Sequence, residues 1–329
     1  MRIKLAYFLK KKFSFIISIS FALLLYFPLV GIANDTSFGQ KNGTIVFERN
    51  DDISMEYERL YISREKIRVD YLFHNETDKD ILVDISFPMP PEYFGESDNS
   101  TIENYQLFVE GKPVDSEILF TVKTSDSIDI TQELLNLGWD KTLLMAFLSE
   151  NGQQRLDFPP LPVILKETNI DDLRFSLLIQ NNFTRQQTFK ANSLIHITHE
   201  YKPSLTTGIL IDDSEIRYLE ANEFDKSRIG SEFCIDKGFL KTLEGKKLKN
   251  EKHYGWDWDT LEYILTTGNN WKGPIKNFNL VIEKDTPEQL ISLCFDGELK
   301  KISPTRFEFN QVNFEPKEDL QILFIGLYK

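Results

Sequence analysis

A histidine pair in the middle of the chain has residue types that can bind zinc. His196 and His199 are three positions apart, and Glu200 follows directly. On a helix these histidines would share a face, but Leu194–Tyr201 alternates β-branched and polar residues, which predicts a strand. An odd spacing on a strand sends the two imidazoles to opposite faces. The order also differs from the His-Glu-x-x-His of zinc peptidases. We therefore predict no metal site, with one histidine exposed and the other half-buried.

Adjacent acidic residues occur at Asp51-Asp52, Asp171-Asp172 and Asp212-Asp213. Glycoside hydrolysis requires two carboxylates that face each other across a cleft, which adjacent residues do not provide, so acidic turns are the simpler interpretation. The sequence also lacks a Gly-x-Ser-x-Gly elbow, a P-loop and a Gly-x-Gly-x-x-Gly fingerprint. It therefore indicates no catalytic residue and no cofactor. We expect a protein that is not an enzyme, with an unrecognised hydrolase site as an open alternative.

The chain contains two cysteines, Cys234 and Cys294. A thiolate can be a nucleophile, but nothing in the sequence places His253 beside Cys234 as its base. In an oxidising compartment a single pair is most simply a disulfide. Closing a loop of about 60 residues contributes about 4 kcal/mol in the chain-entropy model. We predict the Cys234–Cys294 disulfide, and two buried thiols are the alternative.

The tryptophans of the C-terminal part are the best candidates for a ligand face. Trp256, Trp258 and Trp271 are flanked by Asp or Asn, a composition found in sugar-stacking platforms and protein hot spots. Core packing is the competing interpretation, because tryptophan is usually largely buried. Residues 263–278 predict a strand, a wide turn and a second strand. In that turn Gly268 is expected to adopt positive φ and Trp271 to fold back as a plug.

Short segments of alternating apolar and polar residues would position these side chains. Ile67–Phe73 and Ile81–Phe87 alternate in this way across a short polar connection, which predicts a hairpin. Further strands are predicted at Tyr105–Val109, Leu173–Ile179 and Leu194–Tyr201. Strands this short and closely spaced favour a mainly β, sandwich-like fold with small helical insertions over a parallel α/β sheet.

Two segments change to a helical period. Residues 130–149 place leucines at helical spacing around a central break, which predicts a helical hairpin inserted in the β domain. A second helix is predicted near residues 236–247, where lysines at the end suit the helix dipole. The boundary between halves is predicted after residue 203. It separates an N-terminal domain, residues 34–203, from a C-terminal domain, residues 204–329.

The N-terminal segment predicts export. Lys10-Lys11-Lys12 precedes an uncharged, strongly apolar run from Phe13 to Ala33, and Gly31-Ile32-Ala33 is a small-x-small triplet suited to signal peptidase. The run approaches the length of a spanning helix, so a retained inner-membrane anchor is the alternative. We predict cleavage after Ala33. The product would be periplasmic, or extracellular, and would touch the membrane only through the signal segment.

The predicted mature chain is strongly acidic. Loss of residues 1–33 removes five cations and no anions, so the formal net charge changes from −13 to −18. An acidic surface repels nucleic-acid phosphates and anionic lipids. We therefore expect no nucleic-acid partner, and instead an envelope protein or a glycan.

Seven motifs are spread over nearly the whole predicted mature chain; among them the Leu-Thr-Thr-Gly and Ser-Pro-Thr-Arg-Phe stretches are specific, whereas the acidic turns are not. The seven motifs are Asn50–Glu56, Phe73–Asp80, Phe87–Pro90, Gln187–Phe189, His199–Ser204, Leu265–Ile275 and Lys300–Phe307. With these motifs the sequence resembles the bacterial exported family catalogued as domain of unknown function 4424, although Phe183 stands where the family usually has tryptophan. The resemblance implies export and no activity, so no catalytic residue is carried over. More weakly, the N-terminal part is similar to vault/inter-alpha-trypsin-type β-sandwich domains, a fold-level analogy.

The sequence thus favours a non-enzymatic envelope protein that acts by binding or scaffolding. A carbohydrate- or peptidoglycan-binding module using Trp256 and Trp258 is the first alternative, and an uncharacterised hydrolase is the second.

Overall fold

Strands dominate the structure, a computed structural model, and confirm the predicted mainly β fold. The structure describes residues 34–41, 44–93, 103–149, 157–166, 168–207, 229–247 and 256–327. The predicted signal segment, residues 1–33, lies outside these ranges. In chain order the strands are β1 (Thr36–Lys41), β2 (Thr44–Glu48), β3 (Ile53–Ile62), β4 (Ile67–Asn75), β5 (Ile81–Pro88), β6 (Glu92–Tyr93), β7 (Glu103–Val109), β8 (Lys112–Pro113), β9 (Glu117–Thr124), β10 (Leu177–Phe189), β11 (Ser193–Lys202), β12 (Thr206–Thr207), β13 (Trp256–Tyr263), β14 (Ile275–Glu283), β15 (Leu290–Leu293), β16 (Lys300–Lys301), β17 (Arg306–Phe314) and β18 (Leu320–Leu327).

These strands form three sheets. Sheet 1 has the order β2-β1-β5-β10-β6, and β9 also pairs with β10. Sheet 2 has the order β16-β17-β14-β3-β4-β11-β7-β8, and sheet 3 the order β12-β13-β18-β15. The β3–β14 pair is parallel, whereas the other pairs of the three sheets are antiparallel.

One hydrophobic core is shared by the three sheets. In β4 of sheet 2, every second side chain from Ile67 to Phe73 is buried, as the alternation predicts. The same cluster includes Phe87 of sheet 1 and Phe324 of sheet 3. The buried face of sheet 2 therefore packs against both other sheets, which makes the central strands the place where the three sheets meet.

Two sequence predictions about topology are corrected. The strands Ile67–Phe73 and Ile81–Phe87 exist, but they are not a hairpin, because β4 belongs to sheet 2 and β5 to sheet 1. Similarly, a division after residue 203 does not separate two cores. Strand β14, from the predicted C-terminal domain, pairs with β3 from the predicted N-terminal domain over Phe278–Ile282.

The predicted helical insertion is present as α1 (Thr131–Asn136) and α2 (Lys141–Leu148). These helices and α3 (Ile170–Ser176) form a second cluster around the buried Trp139. The predicted strand at Leu173–Ile179 is therefore wrong in its first half. Asn169 accepts a hydrogen bond from the backbone nitrogen of Asp172 and caps α3, a local signal that overrides the apolar run.

A third cluster lies beside sheet 3. Its helices are α4 (Ile229–Glu232) and α5 (Lys237–Lys247), and the second agrees with the helix predicted near residues 236–247. Cys234, between these helices, forms the predicted disulfide with Cys294, which follows β15. Among the described residues, no helix is long and apolar enough to cross a membrane.

Candidate functional site

The segment Leu265–Trp271 is an internal clamp that connects sheet 3 to sheet 2. It contains a 3-10 turn over Thr266–Asn270, and Asp319 Oδ1 accepts hydrogen bonds from the backbone nitrogens of Leu265 and Thr266, each at 2.9 Å. Gly268 does not have the predicted positive φ, which occurs instead at Gly273. Gly268 is needed for space, because a Cβ there would lie 3.2 Å from the Asn34 side-chain nitrogen.

The clamp binds residues 34–36, immediately after the predicted cleavage position. Thr267 Oγ1 accepts from the Asn34 backbone nitrogen at 2.9 Å and donates to the Asn34 carbonyl at 3.1 Å. Trp271 Nε1 donates to the Asp35 carbonyl at 2.6 Å, and Asn270 Nδ2 donates to Thr36 Oγ1 at 2.9 Å. The Leu-Thr-Thr-Gly-Asn-Asn-Trp motif therefore holds the chain's own first strand.

Asp35 carries a buried charge that is paired. Arg185 Nη2 lies 2.8 Å from Asp35 Oδ2, and His199 Nε2 lies 3.1 Å from Asp35 Oδ1. Burial would raise the pKa of Asp35, but the Arg185 guanidinium and His199 hold it well below its usual range. Burial also lowers the pKa of His199, which favours the neutral imidazole. Its Nδ1 lies 2.8 Å from the Tyr105 hydroxyl. Asp35 and Arg185 thus form a sealed ion pair.

Glu58 is a second buried carboxyl group, and it has no such cation. Both of its carboxyl oxygens lie 3.3 Å from the side-chain nitrogen of Asn34. The hydroxyls of Tyr71 and Tyr263 donate to the side-chain oxygen of Asn34. Burial, together with the negative charge of Asp35, raises the pKa of Glu58 to about 8. At neutral pH this carboxyl is therefore mainly protonated.

Sequence reasoning missed this polar cluster, although one signal was present. Glu58 is in phase with Leu60 and Ile62, the apolar row of β3, so the alternation places an acid on the core face. Asp35, Glu58 and His199 are each 0% exposed. Their arrangement can fix the three sheets in register, but no substrate can reach it.

The burial of the tryptophan side chains bears on whether they form a ligand face or pack in the core. Trp271 is 0% and Trp256 2% exposed, so neither ring can stack on an external ligand in this structure. Trp271 packs on Phe73 with ring centroids 4.7 Å apart, as a plug should. Trp258 is half-buried beside the third cluster. Core packing therefore accounts for Trp256 and Trp271.

The histidines lie on opposite faces of β11, as predicted. His196 is exposed, whereas His199 is fully buried rather than half-buried, because Asp35 supplies a polar neighbour inside. A different set of metal-type donors, Glu56, His74 and Glu76, lies together near the surface. Lys276 Nζ lies 2.5 Å from Glu56 Oε1, and Lys272 and Lys276 also pair with Glu76. Ammonium groups already neutralise these carboxylates.

An open cleft of about 780 Å³ lies over sheet 1, and we call it the acidic cleft. Its lining comprises Phe38, Asp84, Val114, Asp115, Ser116, Glu117, Leu119, Thr184, Arg185 and Gln186. Asp84, Asp115 and Glu117 are exposed around it. Arg185 reaches the cleft from the interior, where Asp35 already balances its charge. The accessible charge of the cleft is therefore negative. Volumes of roughly 300 to 1,000 Å³ are typical of small-molecule sites.

Several solved structures are distantly similar to this chain, and two of them are described here. The first is a provisionally named nutrient binding protein from Legionella pneumophila, with 13% identity and a TM-score of 0.45 over 90% of this chain and 70% of that one. The second is yeast LTA4 hydrolase in complex with bestatin, with 9% identity and a TM-score of 0.27 over 83% of this chain and 28% of the enzyme. Scores this low establish neither a shared fold nor a shared activity.

Comparison of the sequence gives a clearer result. No curated protein matches it. A family model described as "Domain of unknown function (DUF4424)" matches residues 33–323, a range that contains both the clamp and the segment it holds. The resemblance drawn from the sequence motifs is thereby confirmed, whereas the likeness to vault-type domains stays a prediction. Since the match covers nearly the whole chain, this protein belongs to the DUF4424 family.

Proposed function

We propose that this protein is an exported, non-enzymatic binding protein of the cell envelope, and that it holds a small, positively charged ligand in the acidic cleft. The observation that carries the proposal is the composition of that cleft. Its volume of about 780 Å³ suits a small molecule, and the exposed carboxylates of Asp84, Asp115 and Glu117 surround it. A ligand with amino groups and a short apolar part would complement this lining.

The ligand's charge follows from the pairing of Arg185. A cleft with an accessible guanidinium would attract anions, but both Nη atoms of Arg185 face Asp35, at 3.4 and 2.8 Å. Phe38, Val114 and Leu119 provide apolar contact area between the acids. A cation with a hydrocarbon portion, such as a polyamine, an amino sugar or an arginine-containing dipeptide, meets both requirements.

The placement of the acid–base groups supports binding rather than catalysis. The buried acid–base groups Asp35, Glu58 and His199 are closed off in the interior. Near the surface, Lys272 and Lys276 pair with the carboxylates of Glu56 and Glu76 beside His74. A general acid or base has to come within hydrogen-bonding distance of its substrate. Export is supported by the Cys234–Cys294 disulfide, because disulfides persist in oxidising compartments.

The test is calorimetry of the oxidised mature chain with spermidine, glucosamine and an arginine dipeptide, with glucose as a neutral comparison. We expect a cationic probe to bind, and each of Asp115→Asn and Glu117→Gln to weaken its affinity about 2- to 5-fold, the range for exposed charge pairs. Binding should also weaken with added salt.

Glu65→Gln is the matched control, because Glu65 is an exposed acid in the connection between β3 and β4 and does not line the cleft. It removes the same charge and should leave the affinity unchanged. If none of the cationic probes binds, or if the cleft variants and the control weaken binding equally, the proposed site is refuted.

A further inference from the structure

The first atom of residues 34–36 that the clamp binds is the backbone nitrogen of Asn34. Thr267 uses its hydroxyl to bind both the nitrogen and the carbonyl of this residue, and Trp271 then binds the next carbonyl. The bond on the other side of that nitrogen is the one predicted to be cut by signal peptidase. The clamp is therefore placed at the position where a new N-terminus would arise.

The two buried carboxyl groups near Asn34, those of Asp35 and Glu58, differ in whether a cation pairs with them. Asp35 has the Arg185 guanidinium, whereas none of the ion pairs among the described residues includes Glu58. The Glu58 carboxyl is 0% exposed, and within the described part of the chain its hydrogen bonds are to the neutral side-chain amide of Asn34. A buried acid without a cation must stay protonated or destabilise the fold. One positive charge at this position would resolve that conflict.

We propose that cleavage after Ala33 creates an α-ammonium group at Asn34 that is bound inside the protein and supplies the positive charge for Glu58. Hydrolysis of the Ala33–Asn34 bond consumes one water, leaves the carboxylate on Ala33 and gives Asn34 an amine that takes up a proton. One N–H is donated to Thr267 Oγ1, as the amide does now. The amine and the side-chain amide belong to the same residue, so the new charge lies within Coulombic range of the carboxylate.

This inference rests on the export part of the proposed function and is independent of the acidic cleft. It assigns Leu265–Trp271 the role of a receptor for the mature N-terminus. It also makes processing a determinant of stability, because an amide nitrogen at Asn34 carries no charge. A chain that keeps even one residue ahead of Asn34 lacks the ion pair while it retains every other contact of the clamp.

The test compares two oxidised chains released from a fusion protein, one starting at Asn34 and one with a single extra glycine ahead of it. An amine-reactive ester at near-neutral pH probes each N-terminus, and mass spectrometry locates the label. We expect the Asn34 amine to be protected at least about 10-fold relative to the unfolded chain, because labelling requires opening of the structure. The amine of the extended chain should react faster. Protein exported in a bacterial host should begin at Asn34 by intact mass.

Melting temperatures then test the pairing with Glu58. The added glycine should lower the melting temperature by about 4 °C or more, and by less than about 1 °C in a Glu58→Gln background, where no carboxylate remains to be paired. Equal losses in the two backgrounds, an Asn34 amine that labels as fast in the native as in the unfolded chain, or an exported protein that begins elsewhere would each overturn the inference. A failure of the cleft variants to affect ligand binding would leave it untouched.

Discussion

The buried Glu58 carboxyl gives a quantitative prediction for a chain in which another residue precedes Asn34. The pKa of Glu58 is raised from 4.5 to about 8 in that state. The folded protein therefore retains a proton that the unfolded chain has lost between these pH values. Its contribution to stability is complete below pH 4.5 and is lost as pH rises through about 8. At about 1.4 kcal/mol per pKa unit, the loss reaches about 5 kcal/mol.

The perturbation is Glu58→Gln, which has nearly the same shape as the protonated acid and cannot ionise. Guanidinium unfolding, followed by tryptophan fluorescence from about pH 5 to about pH 8, should show the extended parent chain losing stability relative to the variant as pH rises. Among the described residues, the ionisable groups that interact with Glu58 are Asp35, Tyr71 and Tyr263. They are present in both chains, so their effects cancel in the difference.

Two controls make the result decisive. Glu65→Gln alters an exposed acid and should follow the parent at every pH. The chain that begins at Asn34 should show a smaller difference, because its ammonium favours the ionised carboxyl. Parallel stability curves for the extended parent and its Glu58→Gln variant would refute the reasoning, since they would mean that Glu58 does not change its proton binding on folding.

Two further predictions concern the clamp and the disulfide. Trp271→Ala should destabilise the protein by about 3 to 5 kcal/mol, because the indole is fully buried and its N–H binds the Asp35 carbonyl. An unchanged melting temperature, or a loss of stability no larger than that of Trp258→Ala, would contradict the role of Trp271 as a plug. Replacing Cys234 and Cys294 together by serine should cost about 4 kcal/mol, the value for a closed loop of about 60 residues. Guanidinium midpoints with and without reductant check this, since reductant should lower the midpoint of the parent and leave that of the double variant unchanged.

The sequence predicted the individual strands and helices of this fold better than it predicted which strands pair with each other. Alternation identified β4 and β5, and helical spacing identified α1, α2 and α5, because each pattern reflects which face of one element is buried. The hairpin of β4 and β5 was wrong because pairing depends on where the next strand lies in space. A polar connection of the same length can cross between sheets as well as reverse within one.

The site was harder to predict because its partners are distant in the chain. Asn34 contacts Glu58, Tyr71, Tyr263 and Thr267, which belong to different elements. The residues 263–278 were correctly interpreted as a strand, a turn with a buried aromatic residue and a strand. What they bind could not be predicted, because residues 34–36 have no hydrophobic periodicity that would place them in the core.

Asn34 and Asp35, the first two described residues, connect the three sheets. Through its side chain, Asn34 contacts Glu58 and Tyr71 in sheet 2 and Tyr263 in sheet 3. Asp35 contacts Arg185 in sheet 1 and His199 in sheet 2. A buried ion pair contributes little net stability but is strongly destabilising when one partner is lost. Because Asn34 and Asp35 together contact all three sheets, loss of this short segment should weaken the packing of their shared core.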